Sequence, residues 1–373
     1  MKTFSYFLFE NFDADLESEN PDNPRRIINT QADAILDRVA GFSPLACSVT
    51  RLQDEFGTEA VKRLVTAGVF REQDGQIAYD TPVFLAEDVS VLKNFSSSAA
   101  IPLADRLWKL RDKLWDTVGG ICNGFNPQVN LYHILCGMVF DGFFFDYLGK
   151  RGVVATSRPH ESGLDYLSVI YEDCPELTQF SNGLLCSYNR LTDGEIALES
   201  FGDANGDRFD LYRCFRLRED GRMPERFKQA GKLLDKLPKG KERDLLLAGA
   251  RSLLQGSECS EECRAILELF GYAKDGELCV PIFDQTDEPI ITDLAELIEK
   301  SIYDEVACIL QKMQMNLDIT ATRHGVPASE IANELYHILF GGINEELIKR
   351  GLTTAPPYKP GEGRYLQCIE WRK

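Results

Sequence analysis

A seven-residue segment that carries a histidine occurs twice in this chain. Leu131–Gly137 reads LYHILCG and Leu335–Gly341 reads LYHILFG, so only the sixth residue differs. Each copy places tyrosine beside histidine and a glycine four residues after the histidine. An imidazole can exchange a proton near neutral pH or hold a ligand by a hydrogen bond. The residues that could form such a site are Tyr132, His133, Gly137, Tyr336, His337 and Gly341.

The glycine of each copy allows two interpretations. On a helix it lies on the same face as the histidine, and it costs about 1 kcal/mol relative to alanine. Something therefore packs closely against that face in both copies. One interpretation is a neighbouring helix, with the histidine making a single buried hydrogen bond. The other is a small ligand or a partner peptide seated beside the Tyr-His pair.

No carboxylate or nucleophile recurs with these histidines. The sequence contains no Walker loop, Rossmann glycine pattern, nucleophile elbow or HExxH zinc motif. Cys259 and Cys263 lie four residues apart without a second pair of ligands, which zinc normally requires. We therefore assign no catalytic residue, no metal and no cofactor. An enzyme is the less favoured class, although scattered residues can still assemble a site.

The surroundings of the two histidines also recur in order. Each copy runs on to a basic pair and a glycine, at Lys150-Arg151-Gly152 and at Lys349-Arg350-Gly351. Each has an Asp-Gly turn upstream, at Asp74-Gly75 and at Asp275-Gly276. The length of the repeated unit is that of a domain, too long for a solenoid repeat. The sequence therefore predicts two tandem, divergent copies, residues 1–203 and residues 204–373.

Each copy is predicted to contain a strand, a helical bundle with a hairpin, further helices and a closing strand. In the first copy the bundle spans 31–84, the helices lie within 100–150 and the closing strands within 164–201. The corresponding ranges of the second copy are 245–283, 291–350 and 364–371. Strands at 184–188, 195–201 and 209–215, with turns at Asp193-Gly194 and Asn205-Gly206, predict a small antiparallel sheet that joins the copies.

Residues 31–84 show three helical segments followed by a hairpin. Ser43-Pro44 predicts the start of the second helix, Gly68 the end of the third, and Asp74-Gly75 the hairpin turn. This order resembles the winged-helix fold of MarR-like regulators, and residues 245–283 repeat it more loosely. The resemblance implies that the helix before the hairpin reads DNA in the major groove. The candidate nucleic-acid contacts are Lys62, Arg63 and Arg71.

Charge disfavours that DNA-binding role. The net charge is −18, whereas nucleic-acid binding depends on a basic surface. The corresponding helix of the second copy is acidic, with Glu258, Glu261, Glu262 and Glu268. The apolar run after Leu131 is interrupted by Asp141 and Asp146, so no membrane span is expected. Eleven cysteines without a signal peptide predict free thiols and a cytoplasmic location.

These patterns predict an α+β protein made of two copies of a winged-helix-containing module joined by a small antiparallel sheet. The favoured function is a non-catalytic intracellular adaptor or regulator that binds a protein or peptide. One alternative is a transcriptional regulator that binds DNA through the first copy. Another is a small-molecule sensor or enzyme with sites near His133 and His337. The sequence does not indicate an oligomeric state.

Overall fold

The computed structural model describes residues 1–10, 20–28, 30–184, 186–203, 209–219, 223–357 and 364–372. These residues form a mixed α and β structure with several small sheets. The strands are β1 (Phe4–Glu10), β2 (Cys47–Ser48), β3 (Phe70–Gln73), β4 (Gln76–Tyr79), β5 (Val83–Phe84), β6 (Arg158–Pro159), β7 (Asp165–Glu172), β8 (Cys186–Thr192), β9 (Ile196–Asp203), β10 (Ala273–Lys274), β11 (Glu277–Leu278), β12 (Ile282–Asp284) and β13 (Tyr365–Trp371).

The helices of the first half are α1 (Pro24–Ile27), α2 (Thr30–Ala40), α3 (Val49–Phe56), α4 (Thr58–Thr66), α5 (Val89–Lys109), α6 (Arg111–Val118), α7 (Pro127–His133), α8 (Phe145–Lys150) and α9 (Pro175–Leu184). Those of the second half are α10 (Leu211–Glu219), α11 (Lys228–Leu234), α12 (Glu242–Leu254), α13 (Glu261–Leu269), α14 (Glu288–Asn316), α15 (Thr320–Arg323) and α16 (Ala328–Lys349). Short 3₁₀ turns lie at Ala86–Asp88 and Glu225–Phe227.

The chain forms two compact units, and each takes segments from both halves of the sequence. Unit 1 consists of Met1–Leu103, Phe145–Gly183 and Ile302–Gly342. Unit 2 consists of Ala104–Phe144, Leu184–Ser301 and Ile343–Lys373. The predicted boundary between residues 203 and 204 separates two copies of a duplicated sequence, and that division stays a prediction. The compact units do not follow this boundary, because each is assembled from three segments of the chain.

Unit 1 contains a sheet in the order β1-β7-β5, with β6 also paired to β7. Ile170 of β7 lies opposite Tyr6 of antiparallel β1 and Val83 of parallel β5. A second sheet, β2-β4-β3, packs with α2, α3 and α4 around a core that includes Leu36, Leu52, Leu64, Phe70 and Ile77. These residues are spaced so that one face of each short element is apolar, which is what a small helix-and-hairpin bundle needs.

Unit 2 contains a sheet in the order β12-β13-β9-β8. Ile369 of β13 lies opposite Leu198 of antiparallel β9 and Ile282 of parallel β12. Its core joins α10 to α13 and the hairpin β10-β11, with Leu246, Ile266 and Phe270 buried. Strand β13 therefore has one antiparallel and one parallel neighbour, as β7 has in β1 and β5 of unit 1.

The predicted hairpin signals of the helical bundle are confirmed. Gly68 has a φ of +67°, and the Val69 amide donates to the Leu64 carbonyl at 2.9 Å, so the glycine ends α4 in a left-handed cap. Asp74 and Gly75 both have positive φ, 52° and 74°, as a tight turn between β3 and β4 requires. Asp275 and Gly276, at 52° and 83°, form the corresponding turn between β10 and β11.

The predicted helix start at Ser43-Pro44 was wrong. Helix α3 begins at Val49, and the Ser48 hydroxyl accepts from the Arg51 amide. The residues before it are drawn into a sheet, because Cys47 pairs with Ile77 of β4. That pairing depends on a strand contributed by the hairpin, and the local cap signal contains no information about it.

The strands predicted at 184–188 and 195–201 overlap β8 and β9, and β9 pairs antiparallel with β13 of the second predicted copy. The third predicted strand, at 209–215, was wrong. These residues lie in and before α10. The Asp210 carboxylate accepts from the Arg213 amide at 2.7 Å and caps the helix, and Leu211, Cys214 and Phe215 are buried at helical spacing. Strand β9 pairs instead with β8 and with the closing strand β13. The predicted Asn205-Gly206 turn lies outside the described residues.

The repeated heptapeptides lie in two long helices. The first, Pro127–Lys150, passes from α7 through π-helical turns at Ile134–Phe144 into α8. The second, α16, is α-helical throughout. Within the described residues, Pro127–Lys150 is the one helix long and apolar enough to cross a membrane, and 67% of its most apolar window is buried in the protein. Such burial is typical of a core helix.

Candidate functional site

His133 lies in unit 2 at the end of α7 and is buried, with 4% of its surface exposed. Its ring meets that of Phe283 on β12 at a centroid distance of 6.0 Å. The Nε2 atom is buried and has no hydrogen-bond partner among the described residues. Burial lowers the pKa of His133 to about 3, so the ring is neutral at pH 7. This environment suits a neutral ring packed in the interior better than a ring that exchanges protons with solvent.

His337 lies in unit 1 and is enclosed by aromatic rings. Its ring centroid is 5.0 Å from that of Phe9 on β1 and 5.1 Å from that of Phe145 on α8. The Nδ1 atom lies 2.8 Å from the carbonyl oxygen of Asn333. A carbonyl can only accept, so Nδ1 carries the proton. This histidine therefore makes a buried hydrogen bond to the backbone of its own helix, as the packing interpretation allows.

The described contacts place the two histidines beside different strands. The His133 ring contacts β12, which runs parallel to its neighbour β13, whereas the His337 ring contacts β1, which runs antiparallel to its neighbour β7. The two heptapeptides are thus nearly identical in sequence, but their rings face different partners. The two helices also differ downstream of the histidines, where the first has π-helical turns and α16 is α-helical. A π-helical turn takes in an additional residue and changes which side chains share a face.

The other candidate residues of the heptapeptides are buried as well. Tyr132 and Tyr336 are each 1% exposed, and Gly137 and Gly341 lie in the interior. The residue after Gly341 marks a close helix contact in unit 1. A Cβ atom on Gly342 would lie 2.6 Å from the Ser96 hydroxyl oxygen and 3.0 Å from the Ala100 Cβ. Helix α5 therefore fills this part of the α16 surface, and a ligand role for the six residues stays a prediction.

The three candidate nucleic-acid contacts differ in how far their side chains are already engaged in contacts within the protein. Lys62 is exposed on α4. One Arg63 nitrogen donates to the Pro21 carbonyl at 2.9 Å. Arg71 donates to the carbonyls of Tyr79 and His324 and lies 3.7 Å from the Asp80 carboxylate. Arg71 therefore braces the hairpin of unit 1, and its contribution to any DNA contact would require these bonds to break.

A network of charged side chains that the sequence analysis missed surrounds Arg158 in unit 1. One Arg158 nitrogen lies 3.1 Å from the carboxylates of both Asp80 and Glu330, and the other donates to the Gly68 carbonyl at 3.0 Å. Arg71 extends the network through Asp80. We call Arg71, Asp80, Arg158 and Glu330 the Arg158 network. Its members come from three distant segments, and no motif in the sequence connects them.

Glu330 is the buried member of the Arg158 network. Its residue is 3% exposed, and its Oε2 atom has no hydrogen-bond partner within the described structure. Burial raises the pKa of Glu330 to about 7, and the Arg158 charge only partly opposes that rise. The carboxyl therefore changes charge near neutral pH. The His160 ring, two residues after Arg158, stacks on Tyr166 with a centroid distance of 3.8 Å.

A second feature of unit 1 is a cluster of aromatic and cationic side chains on the surface. The Arg151 guanidinium carbon lies 4.6 Å from the Tyr147 ring centroid and 4.4 Å from that of Tyr303. The two rings meet edge to face at 6.2 Å. Tyr147 is 36% exposed and Arg151 is exposed. We call these three residues the Tyr-Arg-Tyr cluster. The repeated Lys-Arg-Gly motif was a signal for Arg151, but nothing local pointed to Tyr303.

The described residues contain no group of three or more His, Cys, Asp or Glu side chains that could hold a metal ion. The described cysteines are free thiols. Cys259 and Cys263 pack against Gly249 of α12, since a Cβ on that glycine would lie 3.1 Å from the Cys263 Cβ and 3.5 Å from the Cys259 Cβ. These thiols thus lie at a helix contact.

Comparisons of the chain with protein-family models, with curated proteins and with solved structures give no match.

Proposed function

We propose that this protein is a non-catalytic, cytoplasmic adaptor or regulator that binds a protein or peptide partner. The observation that carries the proposal is the Tyr-Arg-Tyr cluster on the surface of unit 1. Tyrosine and arginine are the side chains most often found at the energetic centre of protein interfaces. Here they are already stacked on one another, so little side-chain freedom is lost when a partner binds.

The chemistry of the cluster indicates the class of partner. A guanidinium that lies over two tyrosine rings is a cation at every physiological pH. Its planar donors match a carboxylate, and the ring faces match an apolar or aromatic side chain. The partner we propose is therefore a peptide segment that carries a carboxylate next to an apolar residue.

We also infer that α2, α3, α4 and the β2-β4-β3 sheet form a winged helix, and that the module was duplicated. The agreement between strand registers supports duplication. The Ile170 amide donates to the Pro82 carbonyl at 2.9 Å, and the Ile369 amide donates to the Pro281 carbonyl at the same distance. The two hairpin turns also share a φ of 52° at their aspartates, Asp74 and Asp275.

DNA binding by the first winged helix is the second candidate. The exposed Lys62 on α4 favours it, since α4 precedes the hairpin. The net charge of −18 and the internal bonds of Arg63 and Arg71 weigh against it. In the adaptor function, by contrast, the winged helices are protein-binding or structural modules.

A peptide library displayed on phage tests the proposal. We expect wild-type protein to enrich acidic peptides and the Tyr147→Ser/Arg151→Ser variant to lose them, with binding weakened by about tenfold or more. Arg111→Ser is a matched control, because the Arg111 guanidinium carbon lies 5.2 Å from the Trp108 ring centroid in a similar cation–ring contact in unit 2. Equal enrichment by the double variant, or no enrichment by wild type, would contradict the proposal.

A further inference from the structure

Unit 1 is completed by a helical segment from the second half of the chain. Residues 302–342 belong to this unit, although its sheets come from the first half. The Ala155 amide donates to the Ser329 carbonyl at 2.8 Å, and the Asn333 side-chain amide donates to the Ala155 carbonyl at 2.7 Å. These bonds tie the start of α16 to the segment that precedes β6.

Side chains of the β1-β7-β5 sheet also contact helix α16. The Tyr171 hydroxyl on β7 hydrogen-bonds to the Glu334 carboxylate, and Phe9 on β1 packs on His337. The apolar residues of α16 in this region, Ile331, Leu335, Ile338 and Leu339, are each at most 1% exposed. Their burial is a large part of the apolar contact that unit 1 makes with residues from the other half.

Unit 2 shows the reciprocal arrangement. Residues 104–144 of the first half belong to it. The Thr354 amide donates to the Gln128 carbonyl at 3.1 Å, and the Trp115 indole donates to the Leu352 carbonyl at 3.0 Å. His133 packs on Phe283 of β12. The first long helix thus contacts second-half residues here, as α16 contacts first-half residues in unit 1.

The chain leaves its two long helices in the same way. After the first, the Val153 amide donates to the Leu148 carbonyl, and after α16, the Leu352 amide donates to the Leu347 carbonyl, both at 2.9 Å. Gly152 and Gly351 hold positive φ at these exits, 68° and 72°. The next segment then bonds to the start of the other long helix, through Ala155 in one case and Thr354 in the other.

We infer that the two halves of this chain are mutual binding partners, each half accepting the central helices of the other in place of its own. The interaction surface on each half is the side of its main sheet that contacts the other half's helix, together with the segment after its own long helix. The occupant of that surface is the equivalent helical segment of the other half. The covalent connection between the halves is then not what holds them together.

The inference does not rest on the proposed partner peptide, although the Tyr-Arg-Tyr cluster is a further contact between the halves, since Tyr147 and Arg151 come from the first half and Tyr303 from the second. It has a physical consequence for stability. If the halves separated, the apolar faces of both central helical segments would be exposed to water at once. Association of the halves and folding of each unit are therefore a single process, as in obligate dimers.

Site-specific cleavage of the full-length protein tests the inference. A flexible linker with a protease site is inserted between Leu184 of α9 and Cys186 of β8, and the purified protein is then cut. We expect the two fragments to elute together at the mass of the uncut chain, with unchanged helical circular dichroism, and to separate only in denaturant. Fragments that elute apart, or that precipitate after cleavage, would overturn the inference.

A matched pair of variants identifies the bonds responsible. Asn333→Ala removes the bond to Ala155 and should speed fragment exchange by about tenfold, the effect of one buried hydrogen bond with a group left unpaired. Asn189→Ala removes a bond of 3.0 Å to Asp210, and both residues lie on the same fragment after cleavage between Leu184 and Cys186, so this variant should leave the exchange rate unchanged. Exchange is measured by native mass spectrometry after mixing with isotope-labelled fragment. Equal rates for the two variants would also overturn the inference.

Discussion

Glu330 and Arg158 form an ion pair at 3.1 Å in which the carboxylate is buried and the guanidinium is partly exposed. The pair joins the first turn of α16 to β6, two elements far apart in sequence. Asp80 lies at the same distance from the same guanidinium nitrogen. Two carboxylates therefore share one cation, and ionisation of the buried one is disfavoured.

This arrangement makes stability depend on pH near neutrality. The pKa of Glu330 is raised from 4.5 to about 7 by burial, so the folded state binds the proton more tightly than the unfolded state. The free energy of unfolding should then decrease as pH rises from about 4.5 to 7 and level off above, because ionisation opposes folding there. Glu330→Gln should remove that contribution and stabilise the protein at pH 8 by up to about 3 kcal/mol.

Urea unfolding of wild type and Glu330→Gln at pH 5 and pH 8 measures the effect. Glu59→Gln, on the exposed surface of α4, changes the net charge equally and should show no such difference. A Glu330→Gln variant that is less stable than wild type at pH 8 would show that the ion pair with Arg158 outweighs the cost of burial.

Gly68 is predicted to be required for its size as well as its backbone conformation. A Cβ atom there would lie 2.6 Å from the Arg158 Nη2 and 2.6 Å from the His160 Cε1. Gly152 has nearly the same φ, 68° against 67°, but a Cβ there meets nothing within 4 Å. Gly152→Ala should cost only the left-handed conformation, about 1–2 kcal/mol. Gly68→Ala should cost clearly more, and equal thermal midpoints for the two variants would contradict the close contact.

Replacing the two repeated histidines should have opposite effects. His133 leaves Nε2 unpaired, so His133→Phe should stabilise the protein by about 1–3 kcal/mol through removal of a buried unsatisfied nitrogen. His337→Phe should destabilise it, because the bond from Nδ1 to the Asn333 carbonyl is lost. Thermal unfolding at pH 8 compares the two. Destabilisation by His133→Phe together with a thermal shift of wild type by a metabolite would favour the sensor function.

His133 also contributes to acid sensitivity. Its pKa falls from 6.5 to about 3 on folding, so below pH 6.5 the unfolded state binds the proton preferentially. The free energy of unfolding should therefore fall as pH decreases from about 6.5 towards 3, and His133→Phe should flatten that decline. Unfolding midpoints measured at pH 4.5 and pH 7.5 check this. An unchanged slope would place the ring in a more solvated position.

Substitutions of Arg71 and Lys62 distinguish a residue that stabilises the fold from a residue that could contact DNA. Arg71→Ala should lower the free energy of unfolding by about 1.5–3 kcal/mol, because a charged group that bonds backbone carbonyls is lost. Lys62→Glu changes an exposed charge and should alter stability by less than about 0.5 kcal/mol. If wild type bound duplex DNA at low salt and Lys62→Glu abolished that binding, the DNA-binding function would replace the adaptor function.

Short-range features of this fold were predictable from the sequence. Gly68 ends a helix and Asp74-Gly75 turns a hairpin because both need positive φ, a property of the residues themselves. The closing strand, predicted at 364–371, is β13 at Tyr365–Trp371. In each case the signal and the structure it specifies lie within a few residues, so no distant partner is needed to decide the outcome.

Only the tertiary structure decided which segments come together. Ser43 lost its predicted cap role because Cys47 pairs with Ile77, and the place beside β9 that was predicted for 209–215 is taken by β13. The amphipathic pattern of α16 indicates that one face is buried, but that pattern is the same whichever sheet covers it. In the folded protein, the bonds of Ala155 to Ser329 and of Thr354 to Gln128 hold the start of each long helix against the other half of the chain. Burial is encoded locally, whereas the partner that provides it depends on the whole chain.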